Sequence, residues 1–115
     1  MTSREAPGLL VGLWRIVGTD AWEQAAVDLI EPAFIEFAPD GTGQFCVVAV
    51  RGWLDCRPAD RNGRPGVEFT WEGLDETDPA SGRGWATLVE DGLIEGHLYF
   101  HLADDSSFRA EALPD

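Results

Sequence analysis

The sequence contains no lysine. Its eight basic residues are all arginine, they face 21 Asp and Glu, and the formal net charge is −13. A field of that sign repels phosphate backbones and anionic headgroups, so neither nucleic acid nor membrane is expected as a partner. Cysteine is scarce too. Cys46 and Cys56 cannot by themselves form a four-ligand zinc cluster, only His97 and His101 exist to supplement them, and the expectation is buried, reduced thiols. No apolar run approaches a membrane span, and "GLLVGLW" is broken by Gly12 and wrongly flanked for a signal peptide, which points to a cytoplasmic protein. A glycine-rich phosphate loop, a Gly-x-Ser-x-Gly elbow and the spacing of a calcium loop are all missing. No cofactor and no metal are expected.

What is present is the material of one folded domain spanning 1–115: 44% hydrophobic residues and five Trp in 115 residues. Period-two runs bounded by turn residues recur along the chain. They predict about eight antiparallel strands, near 10–18, 33–38, 43–50, 52–57, 66–72, 83–90, 93–102 and 107–112. "PDGTG", "RNGRPG" and "EDGL" carry the Asp-Gly and Asn-Gly pairs of hairpin turns. In "VEFTWE", Val67, Phe69 and Trp71 alternate with Glu68, Thr70 and Glu72, one set inward and one set to water. One segment breaks the pattern. Trp22, Ala25, Ala26, Leu29 and Ile30 fall at helical spacing, Asp20 can cap, Glu23 follows three residues on, and Pro32 stops the run, which predicts an amphipathic helix of about three turns.

A two-residue Asp91-Gly92 turn sets Val89 opposite Ile94, Thr87 opposite Gly96 and Trp85 opposite Leu98. Trp85, Leu98, Phe100 and Leu102 then face inward, while Glu95, His97, Tyr99 and His101 face solvent. On a strand, His97 and His101 stand about 13 Å apart and cannot share a metal. "DPASG" reads as a capped single turn, and Arg51, Arg57, Arg61 and Arg64 as a solvated hairpin. A hairpin centred on Arg51 sets Cys46 opposite Cys56; a two-residue Arg51-Gly52 turn puts the thiols on opposite faces.

"GLWRI", with Gly12-x-Trp14 on the first strand, followed by a helix and then hairpins to the end, resembles the calycin superfamily of lipocalins and fatty-acid-binding proteins. The resemblance implies an up-and-down barrel of about eight strands with one short helix between strands 1 and 2. It also implies that Trp14 plugs the closed end, that Arg109 packs on it, and that the helix acts as a lid. The middle of the chain, with "LDCRP", "FTWEG" and "DPASGRGW", is also similar to a group of uncharacterised small bacterial proteins.

Three functional readings follow. In the first, the interior holds a small apolar or amphipathic ligand in a pocket formed by Trp14, Trp22, Phe69, Trp71, Trp85, Leu98 and Phe100. The second is an interaction or homodimerising domain without a ligand, using the outer face of "QFCVVAV", which is apolar on both sides. The third, a hydrolase-type enzyme, would draw on Glu95, His97 and His101. The first two are preferred, and no residue is assigned as catalytic.

Overall fold

The computed structural model describes residues 8–113. A 3-10 turn, Gly8–Leu10, precedes eight strands: β1 (Gly12–Thr19), β2 (Phe34–Phe37), β3 (Thr42–Val47), β4 (Val50–Pro58), β5 (Gly66–Asp75), β6 (Asp78–Glu90), β7 (Leu93–Phe100) and β8 (Asp105–Ala112). Each pairs antiparallel with its neighbour in sequence, and β1 with β8 closes the barrel. The alternation seen in the sequence is the cause. Val67, Phe69 and Trp71 of β5 are buried, while Glu68, Thr70 and Glu72 stand in water.

The interior is filled by rings laid against glycines. A Cβ at Gly52 would meet Phe45 at 2.4 Å and Trp71 at 2.9 Å, one at Gly84 would meet Phe69 at 2.6 Å, and one at Gly96 would meet Phe108 at 2.5 Å. Each bare strand position is covered by an aromatic side chain from the paired position on the neighbouring strand, the large-against-small packing of a small barrel.

The two ends of the barrel are built differently. At the end where β1 starts, the β2–β3, β4–β5 and β6–β7 turns place Gly41, Gly63 and Gly92 at φ of 88°, 77° and 78°. These are the turns that the Asp-Gly and Asn-Gly pairs predict. At the opposite end, the β3–β4, β5–β6 and β7–β8 turns contain no glycine, and Val48, Glu76 and Leu102 adopt φ of 55°, 56° and 59°. Left-handed backbone at residues bearing a Cβ costs roughly 1 kcal/mol or more each, and most for a β-branched side chain.

Several expectations are corrected. The helix, α1, is only Gln24–Val27, four residues instead of three turns. Glu23, not Asp20, precedes it, and the expected apolar stripe does not form. Leu29 and Ile30 are each 62% exposed, Ala25 and Ala26 are exposed, and Val27 is the buried residue. The segment 20–33 is a strap held by polar contacts at several points. Asp28 receives a two-pronged hydrogen bond from Arg15 at 2.7 and 2.8 Å, a third bond from the Ala33 N–H at 2.8 Å and a fourth from Gln24 at 3.1 Å. Glu31 pairs with Arg51, and the Val48 N–H donates to the Val27 carbonyl at 2.8 Å. "DPASG" is no capped turn, because β6 begins at Asp78 and the turn is Glu76-Thr77.

The register of β6 against β7 also differs from expectation. Leu88 faces Ile94, Ala86 faces Gly96, Gly84 faces Leu98 and Trp85 faces His97, because Val89 is an extra residue between Leu88 and Glu90. One bulged residue exchanges the two faces of a strand. Trp85 is therefore on the outer surface, while Leu98 stays buried inside.

Neither cysteine register survives. The β3–β4 turn is Val48-Ala49, so Cys46 faces Arg51, and Cys56 faces Phe69 on β5. Cys46 is buried on the outer face beside Glu31, so the strap covers the surface of "QFCVVAV" that an interaction partner was expected to need. Burial, with Asp55 adding to it, pushes the Cys56 thiol up to about 12; burial and then Glu31 push Cys46 up as well. The thiolate is the reactive form, so neither thiol is expected to react with a disulfide reagent in the native protein, and both after unfolding. Rapid native labelling, or an intrachain disulfide after mild oxidation, would contradict this placement.

Candidate functional site

The strap end carries a continuous aromatic column. Trp22, half-buried, meets Phe100 edge-on at 5.9 Å between ring centroids; Phe100 meets Trp71 at 5.3 Å, and Trp71 meets the wholly buried Phe45 at 5.0 Å. Edge-to-face pairs at these distances are favourable beyond the area that they bury. Thr19 holds Trp22 in place: its hydroxyl donates to the Trp22 carbonyl at 2.7 Å and accepts from the Trp22 N–H at 3.3 Å. The Ser106 hydroxyl donates to Asp20 at 2.8 Å and accepts from the Ala21 N–H at 3.1 Å, tying the start of the strap to β8. These bonds, with one from the Ser107 N–H, hold the Asp20 carboxyl below its ordinary value.

Beside this column, the ends of β5, β6 and β7 and the β7–β8 turn line a broad open concavity of about 1150 Å³. Trp71 and Phe100 contribute from the barrel interior, and Trp53, Leu74 and Leu102 from the rim. Trp53 is 51% exposed and Leu102 is 93% exposed. Glu72, Arg83 and His101 add polar groups. Scattered exposed apolar residues are ordinary, but an indole and two leucines around one hollow are the composition of a binding surface.

The hollow adjoins a second, of about 410 Å³, on the outer face of β4–β7. Thr70, Arg83 and Tyr99 line both. Here Arg61 lies over the Trp85 ring at 3.7 Å and Arg83 over the Tyr99 ring at 4.3 Å. Tyr99 in turn stacks on His97 at 4.5 Å, and His97 Nε2 makes a short contact with Asp105.

Of the seven residues named from the sequence as a ligand pocket, only Trp71 and Phe100 line the larger hollow, and Phe69 and Trp85 line the smaller one. Trp22 reaches the larger hollow only through Phe100. Leu98 is core, and Trp14 is buried toward the far end, its indole N–H donating to the Leu10 carbonyl at 2.8 Å. Arg109 does not pack on Trp14; it is exposed on the outer face, beside Gly18 and Glu95. His97 and Glu95 share the outer face of β7, and His101 lies beyond the strand in the turn, so the three do not form one cluster. Among the described residues, no group of three His, Cys, Asp or Glu could hold a metal ion.

Sequence reasoning missed Trp53, Leu74 and Arg83, and it set Leu102 facing inward on a strand to 102, whereas β7 ends at Phe100 and Leu102 stands exposed in the β7–β8 turn. One signal was available: in "HLADD" a leucine stands in the middle of a polar turn, where neither packing nor turn chemistry calls for it. The closed eight-stranded order is the architecture that the calycin resemblance implies. Comparison with protein-family models, with curated proteins and with solved structures finds no match to this chain.

Proposed function

We propose that this barrel is a cytoplasmic binding protein that takes a small amphipathic ligand at its strap end, in the hollow lined by Trp71, Phe100, Trp53, Leu74 and Leu102, and not in the packed interior. The observation that carries the reading is Leu102. It exposes nearly its whole side chain and holds φ of 59°, so it is unfavourable in both solvation and backbone conformation. Unfavourable terms of this kind gather at sites where a ligand or partner repays them. That Val48 and Glu76 hold the same strained conformation at the same end, while glycine and the more tolerant Asn62 serve at the other, supports the assignment. The unpaired cysteines support the cytoplasmic setting.

The reading makes a paired prediction. Leu102→Asn replaces a residue that resists left-handed backbone by one that tolerates it, and removes an exposed isobutyl group. Stability should rise by about 0.5–1 kcal/mol. Binding of an anthracene-based fluorescent probe, followed by quenching of tryptophan emission, should weaken. Stabilisation with unchanged probe affinity would remove Leu102 from the site. Failure of every apolar probe to bind at high micromolar concentration would end the ligand reading.

A further inference from the structure

The two adjoining hollows differ in chemistry. The larger is rimmed by Trp53, Leu74 and Leu102. The smaller gathers Arg57, Arg61 and Arg83, three of only eight basic residues in a chain of net charge −13. Two carboxylates, Asp55 and Glu68, line it as well, so three guanidiniums face two acids and one positive charge is in excess. On so acidic a surface a local positive excess is unusual, and its position is specific: Arg83 lines both hollows and stands at their junction, between Thr70 and Tyr99 in the strand register.

Two of the guanidiniums lie over aromatic rings. Arg61 lies 3.7 Å from the Trp85 ring centroid and Arg83 lies 4.3 Å from that of Tyr99. A guanidinium stacked by its face keeps its N–H groups at its edge, and that edge matches the two oxygens of a carboxylate. Stacking also removes side-chain freedom before any ligand arrives, so less entropy is lost on binding.

We propose that the ligand of the strap end is an anionic amphipath, with an aromatic or apolar body in the larger hollow and a carboxylate-type head group received by Arg83 with Arg61 and Arg57 in the smaller. The inference rests on the ligand reading above and specifies the chemistry of the molecule. It also accounts for the shape of the site, since a wholly apolar ligand would have no use for a cationic extension of its hollow. The wider field of the protein attracts cations and repels anions, so preference for an anion has to come from these local contacts.

Three probes with one body separate the terms: anthracene-9-carboxylate, 9-anthracenemethanol and 9-aminomethylanthracene, titrated into the full chain while following anthracene and tryptophan emission. The carboxylate should bind about tenfold or more tighter than the alcohol, the size of effect that charge-assisted hydrogen bonds give. The ammonium probe should not exceed the alcohol, despite the charge of the protein. Arg83→Gln should abolish the preference for the carboxylate over the alcohol when both are measured on that variant; Arg61→Gln should reduce that preference in part. If the alcohol binds and the carboxylate binds no better, the head-group inference is overturned and the ligand reading stands. If none of the three binds, both fall. The comparison on the unaltered chain decides the matter even if a variant does not fold.

Discussion

Trp71→Ala is expected to remove about 4 kcal/mol of stability, enough to leave a domain of this size largely unfolded at modest urea concentration. The indole is 2% exposed, contacts Phe45 and Phe100 edge-on at 5.0 and 5.3 Å, and donates to the Tyr99 carbonyl at 3.2 Å. Its loss deletes the middle of the aromatic column and opens a space facing Gly52, which has no side chain to fill it. Gly52→Ala tests the same contact from the other side. Its new Cβ would meet Phe45 at 2.4 Å and Trp71 at 2.9 Å, and neither ring can yield without moving the other. Overpacking of this kind costs about 1–3 kcal/mol. A urea titration of both variants checks the pair. A loss below about 1 kcal/mol for Trp71→Ala would mean that the interior is loose, and would return the ligand to the lumen.

The barrel was legible because its cause is written locally. Alternation in β5 and the glycine turns at one end are properties of a few neighbouring residues, and Asn62 and Gly63, with φ of 53° and 77°, follow the rule that two-residue hairpins need positive φ. The opposite end was not legible, for a physical reason. Its turns use Val48, Glu76 and Leu102 where local chemistry calls for glycine or asparagine, so sequence rules misplace them, setting the β3–β4 turn at Arg51 and a capped single turn at 78–82. The bulge at Val89 carries no marker residue, yet it moves Trp85 from lumen to surface. The strap misled for another reason. Its spacing is helical, but Asp20 bonds to Ser106 and Ser107, Asp28 bonds to Arg15, and four residues are all the helix that remains between those anchors. Short helices have little stability of their own, so such contacts decide. Apart from the bulge at Val89, which adjoins the Gly92 turn at the other end, the misreadings concentrate at the strap end, where both the strained turns and the larger hollow lie.

Asp28→Ala is expected to cost about 2 kcal/mol at neutral pH, and the cost should depend on pH in a defined direction. Removing the carboxylate leaves Arg15 without the charge it is built around, and leaves the Ala33 N–H without its acceptor. The Arg15 guanidinium beside Asp28 holds this carboxyl well below the usual carboxylate range, against the opposing effect of burial, and the bonds from Ala33 and Gln24 deepen the shift. In the unfolded chain the group titrates near 3.9. A carboxyl depressed in the folded state contributes stability that is fully present above its unfolded value and is lost as pH falls toward its folded one. The difference between the native chain and Asp28→Ala should therefore be constant from pH 7 to about 5 and shrink below about 4. Asp20 and Asp40 are depressed too, through Ser106 and Thr42, so acid destabilises both proteins, and the subtraction isolates Asp28. Urea titrations of the two proteins at pH 7, 5 and 3 measure it. The same anchor holds the strap that supports Trp22 against Phe100, so in the variant amide exchange at Val48, whose N–H is bonded to the strap at Val27, should quicken along with the loss of stability. A stability gap that does not change with pH would show that the Arg15 contact is not an ion pair in solution. An unchanged rate at Val48 would show that the strap is fixed to the barrel without it.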